Sequence, residues 1–198
     1  GGTYNIASGI GATAVGGGND IYKSLQYQNK ASGSYSTTVG GEGNEASGDH
    51  SVTVGGISNN AAGSGTIVIG GFQNKALTDR FGESEGAIVV GGRYNINNGD
   101  DSVIFGGNSN LTNGNTTSVM GGAGNVAAGT ITTVGGGLRN VAAGVHSAAF
   151  GGYQSFVGGQ LSTGIAGGST TNNAYLSLAA GYQSVVTNNA LVREGFSV

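Results

Sequence analysis

The chain has 198 residues, including 43 glycines, no proline and no cysteine; 9% of residues are charged and the formal net charge is −3. Without cysteine there is no disulfide or thiolate metal site, and without a basic surplus there is no electrostatic footprint for nucleic acid. No apolar run approaches the ~20 residues that a membrane-spanning helix needs, so no direct membrane insertion by this stretch is expected.

Read from its first residue, the chain repeats itself. Gly-Gly doublets stand at 1–2, 16–17, 40–41, 55–56, 70–71, 91–92, 106–107, 121–122, 136–137 and 151–152, fifteen residues apart except at two places. The cleanest copy runs through Gly40, Gly41, Asn44, Ala46, Gly48, Ser51 and Val54 and closes on Gly55 and Gly56. Later copies return Asn59, Asn110, Asn125 and Asn140 at the Asn position and Ile69 at the closing apolar position. A fixed period of this kind is the signature of a solenoid in which each repeat is one coil.

Each recurring type has a physical reason. Glycine permits positive φ or a close backbone approach, which a chain that reverses direction twice per coil requires. Asn tolerates the left-handed region, and its amide can bond the backbone or the next Asn in the stack. Runs such as Ser51-Val52-Thr53-Val54 and Thr66-Ile67-Val68-Ile69 are β-branched and short, as strands of four to five residues would be. A second short strand is expected around Asn-x-Ala. The copy near Val134 and Gly135 reads as slipped by one residue. No segment has helical periodicity over a helix length.

The expected fold is therefore all-β: a parallel β-roll or β-solenoid of about twelve fifteen-residue coils, spanning residues 1–184. Residues 185–198 are expected to form a cap or the lead-in to a stalk. The chain opens on Gly1 and Gly2 inside a repeat, which reads as a piece of a longer protein. With few large apolar side chains per coil, a lone stack is thinly supported against the entropy of ordering so much glycine. Burial of the apolar strand face against other chains, in an obligate oligomer, is expected.

Two insertions break the period, at about 18–28 and 77–86. The first carries Asp20, Tyr22, Lys23 and Tyr27, and the second Asp79, Arg80, Phe81, Glu83 and Glu85. They concentrate the charge and aromatic surface that the coils lack, so they are the candidate ligand-binding loops, with a clamp on a neighbouring subunit as the alternative. Insertions in repeat proteins tend to map to one face. His50 and His146 share a repeat position and read as exposed strand-edge residues rather than metal ligands. Asp100 and Asp101 beside Asn97 and Asn98 are a weak cation candidate. No catalytic, cofactor or metal site is expected.

The unit Ser51-Val52-Thr53-Val54-Gly55-Gly56, followed by Asn59-Asn60-Ala61-Ala62-Gly63, resembles the head repeats of trimeric autotransporter adhesins, the YadA-like group. The resemblance covers about residues 1–167. It implies a left-handed parallel β-roll packed as a homotrimer, at the tip of a stalk anchored in an outer membrane through regions outside this stretch. It also implies an extracellular, non-enzymatic module that attaches to a host extracellular-matrix protein, a glycan or another surface ligand. Here the repeat is slightly longer and carries a glycine doublet. The same repeat would suit a segment of a trimeric phage tail fibre, the alternative reading.

Overall fold

The computed structural model describes residues 5–17, 28–77, 86–165 and 167–187. The chain divides into two compact units, Gly1–Gly106 and Gly107–Val198. Both are all-β, and both are built from two parallel sheets whose strands alternate along the chain.

In unit 1 one sheet contains the two-residue strands that follow each Asn, such as Lys30–Ala31, Glu45–Ala46, Asn60–Ala61 and Lys75–Ala76. The other contains the strands Thr37–Val39, Val52–Val54, Ile67–Ile69, Ile88–Val90 and Val103–Ile104. We call these the asparagine sheet and the valine sheet. Register is strict, with Glu45 beside Asn60 beside Lys75, and Val52 beside Ile67 beside Ile88. In unit 2 the asparagine sheet runs through Leu111–Thr112, Val126–Ala127, Val141–Ala142 and Phe156–Val157. Its valine sheet runs through Ser118–Val119, Thr133–Val134, Ala148–Phe150 and Thr163–Ile165. Over both units the described residues complete about ten turns of β-solenoid, close to the dozen that the period suggests.

The strands are shorter than the four to five residues expected, because the Ser or Thr at each run's head belongs to a turn. The Ser51 hydroxyl donates to the Gly48 carbonyl at 2.6 Å, and Thr66 does the same to Gly63 at 2.8 Å. That bond closes the corner and leaves Val52–Val54 as the strand.

The glycines divide the work. Gly55 sits at φ 64° with open space where a Cβ would stand, so it is needed for conformation alone. Gly48 has no positive φ, but a Cβ there would overlap the Gly63 carbonyl of the next coil. The left-handed residue of that corner is instead His50 at φ 56°, and its counterparts Tyr35, Ile131, His146 and Leu161 share the conformation. His50 and His146 therefore sit in turns, not at strand edges. Asn is not the left-handed residue either; the one before it is, as at Ser58, Gln73 and Arg139.

Each Asn instead ties coils together through three bonds. The Asn59 backbone N–H donates to Asn44 Oδ1 at 3.0 Å, while Asn59 Nδ2 donates to the carbonyls of Gly55 (3.2 Å) and Gly71 (3.4 Å). Unit 2 repeats this with Asn125, which bonds Asn110 Oδ1, Gly121 and Gly137. The stack of Asn side chains is thus stitched to backbone, which satisfies turn carbonyls that would otherwise be buried without partners.

Only one side chain per strand points inward. Ala46 faces Thr53, Ala61 faces Val68 and Ala142 faces Ala149, all fully buried. One pair trades volume across the core: Val157 lies against Gly164, where a Cβ would come within 2.7 Å of Val157 Cγ2. The copy at Val134 is not slipped, since Thr133 and Val134 pair in register with Ser118 and Val119. Gly135 stands at the outward apolar position because the Phe150 ring covers it, 2.6 Å from where its Cβ would be.

Candidate surfaces and insertion anchors

Because the interior takes one residue per strand, the closing apolar residue of each repeat faces outward. Val54 is 37% exposed and Met120 57%, with Ile69, Phe105, Phe150 and Ile165 between them. These side chains form columns at the coil spacing, ~4.8 Å between rungs. In a repeat built from so few charges, these columns are the main chemical feature of the surface.

Both insertions leave a firmly held stack. The first departs after the Gly16–Gly17 turn and returns at Asn29, which is buried and donates from Nδ2 to Gly41 at 3.0 Å. The second departs after Leu77, whose N–H donates to Asn97 at 2.7 Å, and returns at buried Ala87, whose carbonyl accepts from Ile67 at 3.0 Å. One exit is thus at the Gly-Gly turn and the other at the opposite corner of the coil, so the anchors do not share one edge as repeat insertions commonly do. The named loop candidates Asp20, Tyr22, Lys23, Tyr27, Asp79, Arg80, Phe81, Glu83 and Glu85 lie outside the described residues.

Two clusters in unit 1 fall between these features. At the Gly-Gly edge the Arg93 guanidinium lies 5.4 Å from the Phe72 ring centroid and 6.0 Å from that of Tyr94, and the two rings meet edge-on at 5.5 Å. At the opposite corner Tyr35 stacks on His50 with centroids 5.3 Å apart, and Asp49 Oδ1 accepts from the Ser34 N–H at 2.8 Å. Neither cluster was singled out from sequence. The signal was present, since Tyr35 and His50 are one period apart, and Phe72 and Arg93 are one period plus the insertion apart.

The weak cation candidate loses a member. Asn97 is fully buried at the position where most coils carry Ala. Its Nδ2 donates to the carbonyls of Ile88 (3.0 Å) and Ser102 (2.9 Å), and its Oδ1 accepts from the Ser102 hydroxyl. The amide braces the two sheets from inside and is not available to an ion beside Asp100 and Asp101. Among the described residues no three His, Cys, Asp or Glu side chains gather as a metal-binding group. No helix there is long and apolar enough to cross a membrane. A scan against protein-family models finds no match, and a search of curated proteins finds no relative. The function must be argued from the surface.

Proposed function

We propose that this chain is the non-enzymatic head or spacer of a trimeric bacterial surface adhesin, a stiff stack that carries ligand-contacting loops at a distance from the cell. The observation that carries this reading is the row of outward apolar residues at the closing position of the repeat, Val54, Ile69 and Phe105 in unit 1 and Met120, Phe150 and Ile165 in unit 2. Monomeric proteins seldom leave large, contiguous apolar patches in water. A solenoid whose interior holds only pairs such as Ala46 with Thr53 also gains little from its own core. Burial against further copies answers both needs, and the repeat's resemblance to adhesin heads suggests three chains. Ligand contact is assigned to the two insertions, which leave the stack between well-anchored residues and carry the chain's densest runs of charged and aromatic residues.

The assembly is tested by light scattering with sedimentation of the purified chain at micromolar concentration. A trimer is expected, and a folded, monodisperse monomer would remove this reading. Adhesion to matrix proteins and glycan surfaces is then compared before and after deletion of residues 78–83. Loss of adhesion with an unchanged circular dichroism spectrum is expected; unaltered adhesion takes this loop out of the account.

A further inference from the structure

Two outward columns change character between the units, in opposite senses. The first is the residue immediately after each Asn. In unit 1 it reads Lys30, Glu45, Asn60 and Lys75, in register across parallel strands, with Lys30 Nζ 3.0 Å from Glu45 Oε1. In unit 2 it reads Leu111, Val126, Val141 and Phe156. The second is the first outward residue of the valine sheet. In unit 1 it opens on Thr13 and Thr37 and then reads Val52, Ile67, Ile88 and Val103. In unit 2 it reads Ser118, Thr133, Ala148 and Thr163, with the Ser118 hydroxyl donating to Thr133 Oγ1 at 3.2 Å. The outer rungs depart from this: Ile6 and Ile96 put apolar residues in the first column at the two ends of unit 1, and Thr171 and Leu178 reverse the two columns in one late rung of unit 2.

The closing column between these two stays apolar in both units. At the Gly-Gly edge the residue after the doublet is Glu42, Ile57, Phe72 and Arg93 in unit 1, and Asn108, Ala123, Leu138 and Tyr153 in unit 2. The apolar stripe of unit 1 is therefore centred on the valine sheet, and that of unit 2 reaches across the Gly-Gly edge onto the asparagine sheet.

Resting on the proposed assembly, we infer that copies of this chain contact one another through different sheets in the two units. Unit 1 uses the outer face of the valine sheet, and unit 2 uses the Gly-Gly edge with the asparagine sheet. The occupant is a second copy of this chain, because a regular column of apolar side chains is matched rung for rung only by a surface with the same spacing, which another copy has. Four rungs of two columns cover on the order of 250 Å² in each unit, against the ~800 Å² that each partner brings to a stable interface, so the stripes of both units, about 500 Å² together, come nearer to that area than either alone. The hydroxyl-bearing column of unit 2 and the charged column of unit 1 are then the water-facing sides.

Matched substitutions in the intact chain test this. Ile67→Glu and Thr133→Glu occupy one repeat position, and Lys75→Glu and Val141→Glu another. Sedimentation is expected to show dissociation for Ile67→Glu and Val141→Glu and an intact assembly for Thr133→Glu and Lys75→Glu. If both members of each matched pair behave alike, the sheet switch is overturned while the assembly stands. If the parent chain is itself monomeric, the assembly and the switch fall together. Should a glutamate variant not fold, single cysteines decide, since the chain has no native thiol. Maleimide labelling of Val141→Cys and Ile67→Cys is expected to be slower than that of Thr133→Cys and Lys75→Cys by at least about tenfold, because only opening of the contact exposes them. Equal rates within each pair overturn the inference.

Discussion

Unit 1 and unit 2 share a backbone frame and differ in the side chains of their core pairs and of two outward columns. Both close one corner with a Ser or Thr hydroxyl on a glycine carbonyl, and both stitch the Gly-Gly corner with Asn. Inside unit 1, hydroxyls take part in the core: Thr53 Oγ1 donates to Thr38 Oγ1, which donates to the Lys30 carbonyl, both at 3.1 Å. Inside unit 2 the same rank is Val119, Val134, Ala149 and Gly164, with bulk moved to Val157 on the facing strand. Outside, Val52 and Ile67 on the valine sheet of unit 1 correspond to Ser118 and Thr133 in unit 2, while Glu45 and Lys75 on the asparagine sheet correspond to Val126 and Val141. The comparison separates two layers of constraint. Backbone ladders and corner contacts demand particular residues and recur unchanged, whereas inward pairs vary in size and polarity, and outward columns are free to carry contact chemistry.

The corner glycines give the largest expected effect and should not distinguish the units. Gly48→Ala in unit 1 and Gly144→Ala in unit 2 both drive a Cβ into a carbonyl of the next coil, at Gly63 and Gly159. Each is expected to cost at least about 3 kcal/mol, read from urea unfolding, since the clash is with backbone and not with a movable side chain. A small effect in one unit alone would break the idea of a shared frame.

The inward pairs should sharpen the difference. Gly164→Ala alone is expected to destabilise unit 2 by about 1–3 kcal/mol through overpacking against Val157. Combined with Val157→Ala it should cost less than the two single changes added together, by about 1 kcal/mol or more in a double-mutant cycle. Strict additivity would show that the pair does not share one volume.

The smallest effect lies in the strained corner. Ile131 is a β-branched residue held at φ 54° and exposed in its turn. Ile131→Asn, which suits the left-handed region, is expected to stabilise the chain by about 1 kcal/mol. An unchanged or lowered melting temperature would mean that the isoleucine side chain has a compensating contact, as an assembly surface would supply.

Much of this was readable from spacing. The period placed Ala46 above Ala61 and Asn44 above Asn59 before any coordinates, because in a stack each residue's neighbour is its own counterpart one coil away. Other parts were not readable in that way. The left-handed corner residue carries no type signal: it is His50, Gly65, Ile131 or Leu161, since the hydrogen bonds of adjacent coils impose the conformation whatever side chain stands there. Gly135 looked like a slipped register because its reason, the Phe150 ring, lies a full coil away. Asn97 read as part of a weak cation candidate beside two aspartates, and its burial became visible only once its position was seen to be the inward one. The loop candidates of both insertions fall outside the described residues, and only their anchors are placed.

The sequence by itself determined the coil: its length, its two strands, its corners and the column to which each residue belongs. It could do so because every one of those features repeats, and repetition is visible along a line. Tertiary structure decided which columns face in and which face out, and so placed Thr53 and Val68 inside and Val54 and Ile69 on the surface. That choice depends on where the chain reverses at each corner, and the reversal is set by bonds to the coils above and below rather than by the residues of the corner alone.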